Sequence, residues 1–206
     1  QVGFNYLLKF GFSTLISPKE AVNGNHDVVP SLALGGLTYG VHNIEMCAAY
    51  AAIANQGTYT RPVFYSQVID NNGRVLLDNT TPTTHTVLKA STASLLTQGM
   101  TSVITEGTGT SAKLDGKMPV SGKTGTTSSE YDLWFCGYTP YLTASIWTGY
   151  DENVSLSGDQ AYHERLWAKI MNQIDSVKKY KAKSFKMSKD VKKYDICSSS
   201  GKVAIK

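Results

Sequence analysis

The sequence predicts an α+β fold in which an antiparallel sheet is packed by helices. Three observations carry the prediction. Residues 117–126, 133–138 and 143–150 are strand candidates joined by loops short enough for antiparallel pairing. Just beyond them, residues 159–174 set Ala161, Tyr162, Leu166, Trp167, Ile170, Met171 and Ile174 at helical spacing, a broad apolar face able to cover one side of the sheet. Earlier, Ile44, Cys47, Ala48, Ala51 and Ala54 recur at intervals of three and four, a helix over 43–55 whose small side chains imply close packing.

The remaining elements follow in order. Residues Phe4 to Phe10 suit a short helix stopped by Gly11. Ser17-Pro18-Lys19-Glu20 reads as a turn or helix start, Asn23-Gly24-Asn25 as a loop, and Pro30 to Gly40 as a turn-containing segment laid over a core. Gly57 closes the helix over 43–55. Phe64 to Ile69 and Arg74 to Leu77 flank Asp70-Asn71-Asn72-Gly73, a hairpin signal. A threonine-rich link, Asn79 to Thr86, precedes a helix over 89–104 with Leu95, Leu96, Met100, Val103 and Ile104 as its expected apolar stripe. Gly107 to Thr110 is a loop.

Composition narrows the function classes. With 206 residues, 41% of them hydrophobic and 10% aromatic, the chain can bury one sizeable core, and wholesale disorder is excluded. It contains no run of about 18 apolar residues that would span a bilayer, and its N-terminus does not read as a signal peptide. The net charge of +4 is uneven: ten lysines and two aspartates between Lys178 and Lys206 set that segment at +8, against −4 for residues 1–177. We read 1–177 as the folded unit and 178–206 as a solvated lysine-rich tail or the start of a small extension. No aromatic-interleaved basic patch points to nucleic acid. Cys47 and Cys136 lie in apolar runs and read as small buried hydrophobes, and Cys197 as the thiol to watch. His26, His42, His85 and His163 lack metal-ligand spacing, so neither a metal nor a cofactor is expected.

The chemistry is concentrated in Ser121-Gly122-Lys123-Thr124-Gly125-Thr126-Thr127. Lys123 offers a fixed positive charge, and Thr124 and Thr126, two apart on a strand, present hydroxyls to one face. Such groups can cradle a carboxylate. Gly125 lets an extended substrate backbone pair along the strand edge, and the Thr126 N–H can stabilise an oxyanion. Lys-Thr-Gly is one of three short motifs of active-site-serine enzymes that handle penicillins and peptidoglycan peptides. The others, Ser-x-x-Lys and Ser-x-Asn, do not precede it here. Ser-x-x-Lys occurs only at Ser176 to Lys179 and Ser199 to Lys202, inside the lysine-rich segment, and Ser-x-Asn not at all.

The chain closely resembles the C-terminal half of the transpeptidase domain of class A (bifunctional) penicillin-binding proteins. The resemblance rests on Pro30 to Gly36, Gly40 to Tyr50, Asn55 to Tyr59, Ser121 to Thr127, Asp132 to Pro140, Trp147 to Asp151 and Trp167 to Met171. His42-Asn43 departs from the family's usual Thr-Pro. The resemblance implies the serine β-lactamase and penicillin-binding transpeptidase-like fold, incomplete in this chain. It also implies D,D-transpeptidase chemistry on peptidoglycan stem peptides, with β-lactam antibiotics acylating the same serine. It assigns catalytic roles to Lys123 and Thr126 and substrate binding to Lys123, Thr124, Gly125, Thr126 and Thr127. The nucleophile is expected in a missing N-terminal half of the domain, and membrane attachment through an anchor outside this chain, on the extracytoplasmic face. Two alternatives stand beside this reading: a non-catalytic peptidoglycan- or penicillin-binding module and a β-lactamase relative.

Overall fold

The computed structural model describes residues 1–203. Helix α1 (Val2–Lys9) stops where the glycine predicts: Gly11 takes φ +85°, and a Cβ there would fall on the Tyr59 hydroxyl. The chain from Phe12 to Val41 has little regular structure. Ser17 donates both its N–H (3.1 Å) and its hydroxyl (2.6 Å) to the Glu20 carboxylate, which makes that stretch a turn. Asn23 and Gly24 take positive φ and reverse the chain, and a 3-10 turn spans Pro30–Leu34.

Asp27 holds this segment together. Its carboxylate is 1% exposed and accepts the Ile16 N–H at 2.7 Å, the Thr38 N–H at 2.7 Å and the Thr38 hydroxyl at 2.8 Å. Burial alone would raise this carboxyl, but the Ile16 and Thr38 donors and the nearby His26 outweigh it and hold it below its ordinary value.

Helix α2 (Asn43–Ala54) forms as predicted, yet its buried residues are Ala48, Ala49 and Ala52. Ile44 is exposed, so the expected stripe is rotated. The helix is wedged between two clusters. Ala49 meets Phe4, Phe12 and Leu15, while Ala48 and Ala52 meet Tyr59 and Val87. Only small side chains let both neighbours approach.

Strand β1 (Thr58–Thr60) pairs antiparallel with a strand inside the threonine-rich link. Between them, β2 (Gln67–Ile69) and β3 (Val75–Asp78) form the predicted hairpin, and the Asp70 carboxylate accepts the Asn72 and Arg74 N–H groups at 2.9 Å. The link's own strand is β4 (Thr84–Thr86).

Helix α3 (Ala90–Thr105) overturns its expected face. Of the five predicted stripe residues only Ile104 is buried; Leu95 and Leu96 are 60% and 42% exposed. The buried side is instead Ala93, Ser94, Thr97 and Ile104. The cause is a hydroxyl network at the base of the sheet. Thr97 donates its hydroxyl to the Ala93 carbonyl (2.8 Å) and therefore accepts the Tyr138 hydroxyl (2.8 Å), while Ser121 donates to the Thr97 carbonyl (3.0 Å).

Strands β5 (Ser121–Thr126), β6 (Asp132–Tyr138) and β7 (Thr143–Gly149) form an antiparallel sheet in the order β5-β6-β7, with Lys123 opposite Cys136 and Cys136 opposite Ser145. Helix α4 (Tyr162–Lys178) covers one face. The main core there contains Ile104, Leu114, Met118, Val120, Phe135, Trp167 and Met171, with Phe135 edge-on to Trp167. Tyr162 and Ile170 of the predicted α4 face are exposed, and His163 and Glu164 are buried instead, at 2% and 4% exposure. Neither His163 ring nitrogen is hydrogen-bonded among the described residues.

The start of the lysine-rich segment is docked, not solvated. Tyr180 stacks on Tyr141 with ring centroids 4.3 Å apart, and Phe185 meets Tyr138 edge-on. The Lys186 carbonyl accepts from Gln56 (2.7 Å), and the Ser188 N–H donates to Ser94 (2.8 Å). Helices against an antiparallel sheet give the α+β architecture that the sequence predicts.

Candidate active site

β5 is an edge strand, and its free edge borders a cleft of about 550 Å³. Lys123, Thr124, Gly125, Thr126 and Thr127 all line it. The opposite wall comes from the segment that Asp27 holds, through Leu37, Tyr39, Gly40 and Val41, and from Met46 and Tyr50 of α2. The floor is Trp134, Cys136 and Trp147.

The register decides what each residue presents. Thr124 and Thr126 stand opposite Phe135 and Leu133 on one face; Lys123 and Gly125 stand opposite Cys136 and Trp134 on the other. Thr127 donates its N–H to the Asp132 carbonyl (3.2 Å), so the paired positions are 127, 125 and 123. By the same alternation, the N–H groups of Thr124 and Thr126 point away from β6, toward the open edge. That edge offers an extended ligand a row of backbone donors and acceptors. A side chain at 125 would crowd it: a Cβ on Gly125 would sit 3.3 Å from the Trp134 Cβ.

Lys123 is exposed, and its Nζ donates to the Thr124 carbonyl at 3.0 Å. Among the described residues its charge is therefore not spent on an acidic partner. Two further side chains tie the site together, and the sequence does not single out either. Asp132 accepts the Trp147 indole N–H (2.7 Å) and the Thr127 hydroxyl (2.9 Å), joining the floor to the end of β5. Thr108, read from sequence as mere loop, places its hydroxyl 2.7 Å from that of Thr124. Both contacts depend on sheet register and chain reversal, which no local pattern encodes.

Cys136 lies in the cleft beside Ser145, with the two side chains 3.2 Å apart. Burial pushes its thiol up to about 12 against that bond, so it stays protonated at neutral pH and is no nucleophile. Burial likewise raises Cys47. Exposed Cys197 is lowered instead by hydrogen bonds from Ser200 and Ser199, far from this cleft in the chain. The cleft thus offers an ammonium, several hydroxyls, outward N–H groups and an aromatic floor. These are the parts of a site that grips an anionic, extended ligand.

Residues 3–174 match the penicillin-binding protein transpeptidase domain family. Among curated relatives, the chain is 36% identical over 169 residues to Penicillin-binding protein 1A of Clostridium acetobutylicum, which covers 82% of this chain and 20% of that protein. It is 36% identical over 152 residues to Penicillin-binding protein 1F of Bacillus subtilis, covering 69% of this chain and 21% of the relative. The structure of the penicillin-binding protein PonA1 from Mycobacterium tuberculosis superposes with a TM-score of 0.64 at 27% identity, covering 76% of this chain and 43% of that one. The chain therefore spans about a fifth of the length of these curated relatives. With the family's fold, and with Lys-Thr-Gly on the edge of its sheet, the chain belongs to the penicillin-binding protein transpeptidase domain family.

Proposed function

We propose that this chain is the Lys-Thr-Gly side of a D,D-transpeptidase site that cross-links peptidoglycan through an acyl-serine intermediate. The observation that carries the reading is the free β5 edge, where Lys123, Thr124, Gly125 and Thr126 line one cleft with the Thr126 N–H directed outward. The stem peptide lies along β5 in strand fashion, its terminal carboxylate gripped by the Thr124 and Thr126 hydroxyls, with Lys123 supplying positive charge. As a serine oxygen bonds to the penultimate carbonyl carbon and gives up its proton, the Thr126 N–H donates to the developing oxyanion. The C–N bond then breaks, and the proton passes to the terminal D-alanine, which leaves as its amine. An amine of a neighbouring strand displaces the serine oxygen to form the cross-link, returning a proton to the serine. A β-lactam follows the same path, except that the cleaved amide stays attached. No Ser-x-x-Lys precedes Lys123, so the serine belongs to a part of the domain outside these residues. The reaction takes place on the extracytoplasmic face of the bacterial membrane, where the substrate lies; no helix among the described residues is long and apolar enough to cross a membrane. Residues 1–177 form the domain portion, and the lysine-rich segment is an extension of it.

The same missing motif favours a second reading, a binding module that holds the carboxylate without chemistry. Intact-mass spectrometry with a penicillin separates the two. The expected result is no adduct on the 206-residue chain and one stoichiometric adduct on the full-length protein. A stoichiometric adduct on the 206-residue chain overturns the placement of the nucleophile. A full-length protein that takes none overturns the transpeptidase reading in favour of the binding module.

A further inference from the structure

We infer that Thr108 is a positioning residue of the carboxylate cradle: its hydroxyl fixes the proton of Thr124 so that Thr124 donates into the cleft. The inference rests on the functional reading above and deepens it. Thr108 and Thr124 are 16 residues apart, and their hydroxyl oxygens stand 2.7 Å from each other, a distance at which one must donate to the other. Each hydroxyl has one proton. If Thr124 spent its proton on Thr108, it would turn a lone pair toward the ligand and repel a carboxylate. With Thr108 as donor, the chain runs from Thr108 through Thr124 to the carboxylate, and each bond strengthens the next. A carboxylate in the cleft therefore selects the arrangement in which Thr108 donates.

The turn that carries Thr108 is fixed for this purpose. The Gly109 N–H donates to the Val103 carbonyl at 3.0 Å, and the Glu106 N–H to the Ser102 carbonyl at 3.0 Å, so the turn closes directly on the end of α3. Both flanking glycines are confined. A Cβ on Gly107 would come within 2.7 Å of the Val103 Cα, and one on Gly109 within 3.0 Å of the Ile104 side chain and 3.4 Å of the Phe135 ring. The turn is thus pressed between α3 and the sheet core, which holds Thr108 at the level of Thr124. Thr108 itself is exposed, and among the described residues its hydroxyl meets only that of Thr124.

The test is the second-order rate of acylation of the full-length protein by a fluorescent penicillin, for wild type, Thr108→Val, Thr108→Ser, Thr124→Val and the 108/124 double variant. Thr108→Val is expected to lower the rate roughly 3- to 10-fold, the worth of one hydrogen bond. Thr108→Ser restores it, and Thr108→Val adds nothing in the Thr124→Val background. A wild-type rate in Thr108→Val, or an equal loss in both backgrounds, overturns the inference while leaving the functional reading intact. A wild-type protein that takes no label overturns the functional reading, and the inference falls with it. Circular dichroism that matches wild type shows that the variants are folded.

Discussion

Replacing Asp27 with asparagine isolates the group that holds one wall of the cleft. One carboxylate oxygen accepts Ile16 and the other accepts both donors of Thr38. A carboxamide has a single acceptor oxygen. Its best orientation keeps the oxygen on Thr38 and turns the NH2 against the Ile16 N–H, so one bond is lost and two donors face each other. The two surviving bonds also lose their charge assistance. A bond to a charged group contributes about 1.5–3 kcal/mol and a neutral one about 1 kcal/mol. After allowing for relief from burying a charge, the net loss is roughly 3 kcal/mol, or about 6–12 °C in Tm for a chain of this size. Thermal and urea unfolding at neutral pH measure it. The pH dependence adds a second check. The folded Asp27 carboxyl sits below its ordinary value of 3.8, so its contribution is complete above that value and is lost as pH falls through the folded pKa. The gap between wild type and Asp27→Asn must therefore close on acidification below about pH 4. A Tm within about 2 °C of wild type at neutral pH refutes the argument that Asp27 organises residues 12–41.

Three other outcomes are expected. Lys123→Ala, which removes an exposed side chain bonded among the described residues only to a neighbouring carbonyl, leaves the unfolding midpoint unchanged but slows penicillin acylation of the full-length protein on the order of 100-fold; unchanged acylation removes the role assigned to Lys123. Tyr138→Phe deletes the buried donor to Thr97 and costs about 1 kcal/mol in urea unfolding, a modest loss because the Thr97 hydroxyl keeps its bond to Ala93. Burial lowers His163 and raises Glu164, the latter opposed by the Ser111 backbone, so the two act in opposite senses. The His163 contribution is whole above 6.5 and lost as pH falls from there through the folded pKa; that of Glu164 is whole below 4.5 and lost as pH rises through its folded pKa. His163→Leu should flatten unfolding midpoints measured from pH 7 down to 5, and Glu164→Gln should stabilise at pH 7 but not at pH 4.

Local chemistry, legible in the sequence, determined the elements. The strand candidates over 133–138 and 143–150 became β6 and β7 almost at their expected bounds, while the one expected over 117–126 starts only at Ser121 as β5; the Asp70–Gly73 turn became a hairpin, and Gly11 ended its helix. The Lys-Thr-Gly segment could be read as a strand with ligand-binding chemistry because charge, hydroxyls and a missing Cβ are properties of the residues themselves. Which face each helix buries was decided elsewhere. On α3 the buried side follows the hydroxyls of Tyr138 and Ser121, so hydropathy alone selected the wrong face; on α4 the predicted Trp167 and Met171 are buried, but His163 and Glu164 are buried with them and Tyr162 and Ile170 are not. β4 could not be seen before β1 lay beside it, because a short exposed strand is defined by its partner. Asp27, Asp132 and Thr108 acquire their roles from groups 5 to 16 residues away, brought close by reversals of the chain. Sequence fixes what a residue can donate or accept; only the packed sheet and its turns decide which partner stands within 3 Å to receive it.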